Sequence, residues 1–193
     1  MTRRFTRLAI AASAFVALLG IMPLHAAAVT LTPPPPAGAT CVSGPTRTTC
    51  FWVDTAFHTP GPVPYGVSCG GFSVKVELAG ERRFRFVYDE NGTLIERDRH
   101  ISYEGRLSNS VSGASVPHVG AFAVVDDFVA GTSTITGMLS RTVVDGDGLI
   151  WRNIGRVVIS LASGAVLFEA GEHGTYDIST DPSVAAKLCA ALG

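Results

Sequence analysis

Phe72-Ser-Val-Lys-Val-Glu-Leu78, followed by Phe84-Arg-Phe-Val-Tyr-Asp-Glu-Asn-Gly92 and Thr93 to Ile101, decides the fold of this chain. Phe72, Val74, Val76 and Leu78 alternate with Ser73, Lys75 and Glu77, the period of two of a strand with one face buried and one wet. Phe84, Phe86 and Tyr88 continue the alternation against Arg83, Arg85 and Val87. Asp89-Glu90-Asn91-Gly92 supplies a turn, with an acid that bonds its own backbone first and a glycine that accepts the left-handed conformation last. A three-residue loop with a glycine bulge sets Tyr88 opposite Leu94, Phe86 opposite Glu96 and Phe84 opposite Asp98. One face is then expected to carry Phe84, Phe86, Tyr88, Leu94, Glu96, Asp98 and His100. The other is expected to carry Arg83, Arg85, Arg97 and Arg99 beside Val87, Ile95 and Ile101.

The same grammar continues toward the C-terminus. Tyr103 to Ser108, Phe122 with Val124, Thr132 to Val143, Leu149 to Leu161 and Ala165 to Ala170 read as strands joined by short turns. Pro117 is expected to bar the stretch around it from the middle of a sheet. The period changes only at the end. Asp181 caps a short helix beginning at Pro182, with Val184 and Leu188 on its apolar stripe. The expected fold is all-β: an eight-stranded antiparallel meander closing into a barrel, with a short C-terminal helix. Closure would remove the long exposed edges, and a two-sheet β-sandwich is the alternative.

Upstream, Arg3, Arg4 and Arg7 precede an apolar run from Leu8 to Leu24 and then Ala26-Ala27-Ala28, the three parts of a secretory signal peptide. Cleavage is expected near Ala28, with a cut after Ala26 as a second site, and no stable membrane insertion is expected afterwards; the alternative is an uncleaved anchor, since the apolar run of about 17 residues reaches the lower limit for a bilayer span. Losing residues 1–28 removes three arginines and no acid, moving the formal charge from -1 to -4. That balance argues against nucleic acid as a partner. Residues 29–68 hold eight of the eleven prolines, including Pro33 to Pro36, and read as a proline-rich segment with a disulfide loop, its proline run a polyproline stalk. Residues 69–193 read as the barrel domain.

Export makes the even set Cys41, Cys50, Cys69 and Cys189 a disulfide framework. Three connectivities are open. Cys41–Cys50 and Cys69–Cys189 are favoured because each ties a structural unit to itself, closing loops worth about 2.7 and about 4.9 kcal/mol on the chain-entropy model. No close C-x-x-C pair suggests zinc, and the histidines are not spaced as ligands on one element, so neither metal nor cofactor is expected.

Cys69-Gly70-Gly71-Phe72-Ser73-Val74, Val87-Tyr88-Asp89, Leu107-Ser108-Asn109 with Gly113-Ala114-Ser115-Val116, Gly155-Arg156-Val157-Val158 and Leu188-Cys189-Ala190-Ala191-Leu192 resemble a family of small exported bacterial proteins. The resemblance spans residues 69 to 192. It implies a β-barrel and paired cysteines near Cys69 and Cys189. The family has no established activity, so no catalytic residue is implied. The expected barrel is similar in outline to allene oxide cyclase and the calycins, an analogy of architecture that carries no chemistry.

Candidate chemistry is sparse. Gly66-Val-Ser68-Cys-Gly70 matches the G-x-S-x-G elbow by letter, but the elbow needs a strand before and a helix after the serine. Asp89 to Gly92 and Asp145 to Gly148 are better explained as hairpin turns than as calcium loops, since neither has a glutamate twelfth. Glu96, Asp98 and His100 share a face, expected to include Phe84 and Phe86. Looking into a barrel, they would place two carboxylates and an imidazole in an apolar ligand site able to move protons. The expectation weighed against this is that residues 96–100 lie beyond the barrel rim with both faces solvated; with the arginine face inward, the site would favour an anion instead. The expected function is a secreted, non-enzymatic β-barrel protein that binds a small ligand or a cell-envelope partner. An acid–base enzyme acting on an apolar small molecule and a structural surface module are the alternatives.

Overall fold

The computed structural model describes residues 29–144, 148–173 and 182–193. The leader, the turn acids Asp145 and Asp147, and the Asp181 cap lie outside the described residues. Nine strands and one helix follow in order: β1 Thr40–Ser43, β2 Arg47–His58, β3 Val63–Ser68, β4 Ser73–Asp89, β5 Leu94–Asn109, β6 Ser115–Asp127, β7 Thr132–Val144, β8 Gly148–Ser160, β9 Val166–His173 and α1 Pro182–Leu192. They form one antiparallel sheet in the order β1-β2-β4-β5-β6-β7-β8-β9, with β3 pairing the start of β4 beside β2.

The fold is all-β, as the alternation requires, but the expected closure into a barrel is not found. The sheet ends at β1 and β9, which do not pair with each other. The end strands have 4 and 8 residues against 17 and 16 in β4 and β5, so they offer little ladder with which to seal a cylinder. Nor do the described residues form a second sheet to make a sandwich. Pro117, expected to be excluded, lies inside β6. It pairs with Arg106 of β5, whereas the ladder to β7 begins only at His118, so its missing N–H breaks no bond on that side.

Residues 29–68 are built into the sheet through β2 and β3. The expected proline stalk does not stand clear: Thr32 bridges Thr93, and the Tyr88 hydroxyl donates to the Pro33 carbonyl at 2.9 Å. The favoured cysteine pairs are both at disulfide distance, Cys41 with Cys50 across β1 and β2, and Cys69 with Cys189 from the turn between β3 and β4 to α1.

Register puts the core on one face of the sheet. At one end Val74, Val76, Leu107, Val116 and Trp151 meet Val67 of β3 and Val184, Leu188 and Leu192 of α1. These helix residues recur at intervals of four, so one stripe faces the sheet. Pro182 starts the helix, where a missing N–H costs nothing, and the Asn109 amide donates to the Leu192 carbonyl at its end. At the other end Cys50, Phe86 and Tyr88 pack with Leu31, Trp52, Phe84 and Leu94.

Between the two clusters the core face is rich in glycine. Gly80, Gly105, Gly120, Gly137, Gly155 and Gly171 lie in three successive rows across β4 to β9 on that face, interspersed with Leu78, Tyr103, His118 and Phe122. A Cβ on Gly80 would overlap the Ser102 carbonyl oxygen, and one on Gly105 the Glu77 carbonyl oxygen. One on Gly137 would meet the Ala121 carbonyl at 2.8 Å, and one on Gly171 the Ile154 carbonyl at 2.5 Å. Neighbouring backbone occupies the side-chain volume, so the sheet creases along this line. Gly80→Ala is expected to destabilise the protein by about 3 kcal/mol in urea unfolding. Gly71→Ala, where a Cβ enters open space, should change stability by less than about 0.5 kcal/mol.

Candidate functional site

The sequence expectation placed Glu96, Asp98 and His100 beside Phe84 and Phe86, and the register corrects it. Tyr88 does face Leu94, but Val87 faces Glu96, so Ile95 is an extra residue in β5. Its carbonyl accepts from Phe128 N–H at 3.0 Å. One inserted residue moves every later side chain to the opposite face. Phe84 therefore lies opposite Arg99 and Phe86 opposite Arg97 on the core face, whereas Asp98 faces Arg85 and His100 faces Arg83 on the outer face.

The proton-transfer set is not assembled. Arg85 donates to Asp98 Oδ2 at 2.5 Å and to Glu96 at 2.6 Å, tying both carboxylates to one guanidinium. Asp98 is buried, Glu96 half-buried and His100 exposed. Phe84 instead packs 5.1 Å from Trp52 and 5.8 Å from Phe86, centroid to centroid. Ser68 closes β3 and is followed by strand β4, so the helix of a nucleophile elbow is missing.

His100 does belong to a concave surface. Three depressions of about 620, 580 and 530 Å³ run along the outer face directly behind the glycine line. The first and second share Glu81 and Ser102, and the second and third share Ala79 and Glu104, so they form one trough. The cross-strand rows build it: Glu77 with Arg106, Ala79 with Glu104 and Val119, Glu81 with Ser102 and Ala121, and Arg83 with His100 and Ala123. Ala79, Ser102, Ala121 and Ala123 make a shallow floor. Ion pairs mark its length, Arg83 with Glu81 and Arg106 with Glu77, the latter at 2.5 Å. Glu104, exposed between them, has no ion pair among the described residues. Small side chains and one uncommitted carboxylate suit an elongated hydrogen-bonding ligand with a positive group.

Two buried polar layers on the core face escaped sequence reasoning. In the first, Asp126 is 1% exposed and accepts from Arg97 at 2.7 and 2.9 Å, from Arg99 at 3.0 and 3.2 Å, and from the Ser133 hydroxyl at 2.7 Å. Burial opposes its charge, but the bonds from Ser133 and Arg97 and the two guanidinium charges outweigh it and hold the carboxyl below its ordinary range. In the second, His118 is 2% exposed among Tyr65, Tyr103 and Trp151. The Tyr103 hydroxyl donates to the Leu139 carbonyl at 2.7 Å, and His118 Nδ1 lies 3.0 Å from the Thr142 hydroxyl. Nδ1 therefore accepts from Thr142, leaving the proton on Nε2, which points at the Tyr103 oxygen 3.4 Å away. Burial, with Tyr65 nearby, raises the Tyr103 phenol above its usual range. The rings of Tyr65, Tyr103 and Trp151 surround this imidazole, so it braces the core.

Burial pushes His118 down to about 4. The unfolded chain, with an ordinary histidine near 6.5, binds the proton first, so stability falls as pH drops from about 6.5 toward 4. This one group is expected to remove about 3 kcal/mol across that window. Urea unfolding at pH 7 and pH 4.5 should show His118→Gln losing less stability than the parent protein on acidification, whatever its stability at pH 7.

No protein-family model, curated protein or solved structure matches this chain.

Proposed function

We propose that this is an exported, non-enzymatic β-sheet protein that holds an elongated polar partner of the cell envelope in its outer trough. The leader-like N-terminus and two cysteine pairs at disulfide distance support export into an oxidising compartment. No helix among the described residues is long and apolar enough to cross a membrane. The observation that carries the binding role is Glu104, a carboxylate that has no ion pair among the described residues, midway along a trough of small residues and flanked by ion pairs at Glu77 and Glu81. The partner chemistry that fits is an amide- and hydroxyl-bearing chain with an ammonium group, as in cross-linking peptides of a cell wall. The acid–base alternative has less support, because Glu96 and Asp98 share Arg85 and lie on the face opposite Phe84 and Phe86.

Amide-shift titration with soluble peptidoglycan fragments bearing free amines is expected to perturb Ala79, Ser102, Glu104 and Ala121 together. Glu104→Gln should weaken binding about tenfold, the cost of one charge-assisted hydrogen bond. N-acetylation of the fragments should weaken it similarly. Shifts confined to other surfaces, or equal affinity for the variant, would refute the proposal.

A further inference from the structure

A cavity of about 420 Å³ lies at the end of the sheet opposite α1, lined by Val29, Leu31, Arg47, Asp89 and Glu90 among others. The segment that brings Val29 there is fixed in place. Thr32 N–H donates to the Gly92 carbonyl at 2.8 Å, and Leu94 N–H donates to the Thr32 carbonyl at 3.0 Å. Leu31 packs against the Cys50, Phe86 and Tyr88 cluster. Gly92, at φ 81°, has the Thr30 carbonyl over it and Val29 Cγ1 2.7 Å from where a Cβ would stand. The chain therefore leaves Val29 at the cavity wall.

The charges in this cavity do not balance. Among the described lining residues Asp89 and Glu90 are accompanied by one cation, Arg47, the cross-strand partner of Asp89. Asp89 Oδ1 is committed to the turn, accepting from Asn91 N–H at 2.9 Å and Thr93 N–H at 2.8 Å. Neither carboxylate has an ion pair among the described residues. The cavity is one positive charge short.

We infer that this cavity is the seat of the mature amino terminus, and that the leader is cut between Ala28 and Val29. Hydrolysis of that peptide bond adds one water, leaving a carboxylate on Ala28 and an ammonium on Val29. The new ammonium stands at the cavity that holds the Asp89 and Glu90 carboxylates and supplies the missing charge. Removal of the leader thus adds an electrostatic tie at the end of the molecule far from Cys69–Cys189. The inference rests on reading residues 1–28 as a leader, and it stands independently of any ligand in the trough.

The test uses the exported chain. Mass measurement of its N-terminus is expected to give Val29, and a start at Ala27 would overturn the inference. NMR titration of the Val29 amine is expected to place its pKa about half a unit or more above the ordinary range of about 7.7–8.0. Glu90→Gln, a change at an exposed turn residue, should bring it back toward that range. Acetylating the Val29 amine should lower the melting temperature by about 2–4 °C. An amine titrating in the ordinary range in the parent protein, or a melting temperature indifferent to acetylation, would show that no such seat exists.

Discussion

The line of glycines from Gly80 to Gly171 is the constraint on which the rest of the molecule depends. Six strands each place a glycine on the core side within three successive rows of the ladder, and at Gly80, Gly105, Gly137 and Gly171 neighbouring backbone fills the side-chain space. The sheet then has no continuous apolar face, so the core divides into a cluster under α1 and a second cluster around Tyr88. Each part is small and each contains one of the cysteine pairs, Cys69–Cys189 in the first and Cys41–Cys50 in the second. The two links compensate for what the divided core lacks in buried area, because a crosslink acts on the unfolded chain and needs no large core. On the outer face the same line leaves the trough, whose floor of alanine and serine is the back of the crease.

Two buried polar layers add to the divided core. Asp126, in the row of Arg97 and Phe86, takes bonds from two arginines and a serine, and His118, beside the glycine rows, pairs with a threonine. Such groups stabilise a fold little in total, yet losing one partner is costly, because the remaining charge or donor stays buried. They fix how β5, β6 and β7 are aligned. A one-residue slip anywhere in these strands would turn Asp126 or His118 outward and place an outer-face side chain in the core.

Much of this was legible in the residues, and the failures have physical causes. Alternation identified β4, β7 and β8, the change of period located α1, and the spacing of four cysteines favoured the pairs found. Ile95 was misread because a bulge changes the register without changing composition, and that one residue moved Glu96, Asp98 and His100 away from Phe84 and Phe86. The glycines were visible singly, but only the register aligns Gly120, Gly137, Gly155 and Gly171. β2 and β3 were obscured by Pro60, Pro62 and Pro64. An edge strand such as β3 tolerates Pro64, since its outer side has no ladder to break. His118 could have been found from its place two residues before Gly120 on an alternating strand, which assigns it to the core face.

An open sheet must also keep its edges from pairing with other chains. β1 is limited to four residues, too short to template a long ladder. β9 is longer and exposes Val166, Leu167 and Phe168, which would make a sticky edge. Charge and bend counter this. Glu172 pairs with Arg152, the Arg156 guanidinium lies 5.8 Å from the centre of the Phe168 ring, and Gly171 holds a φ of 117° that breaks the flat run of the strand. A second β9 brought alongside in antiparallel register centred on Glu169 would set that carboxylate against its own copy. The crease that ends in Gly171 therefore has a further consequence: the bend that divides the core also makes the free edge a poor template for another strand.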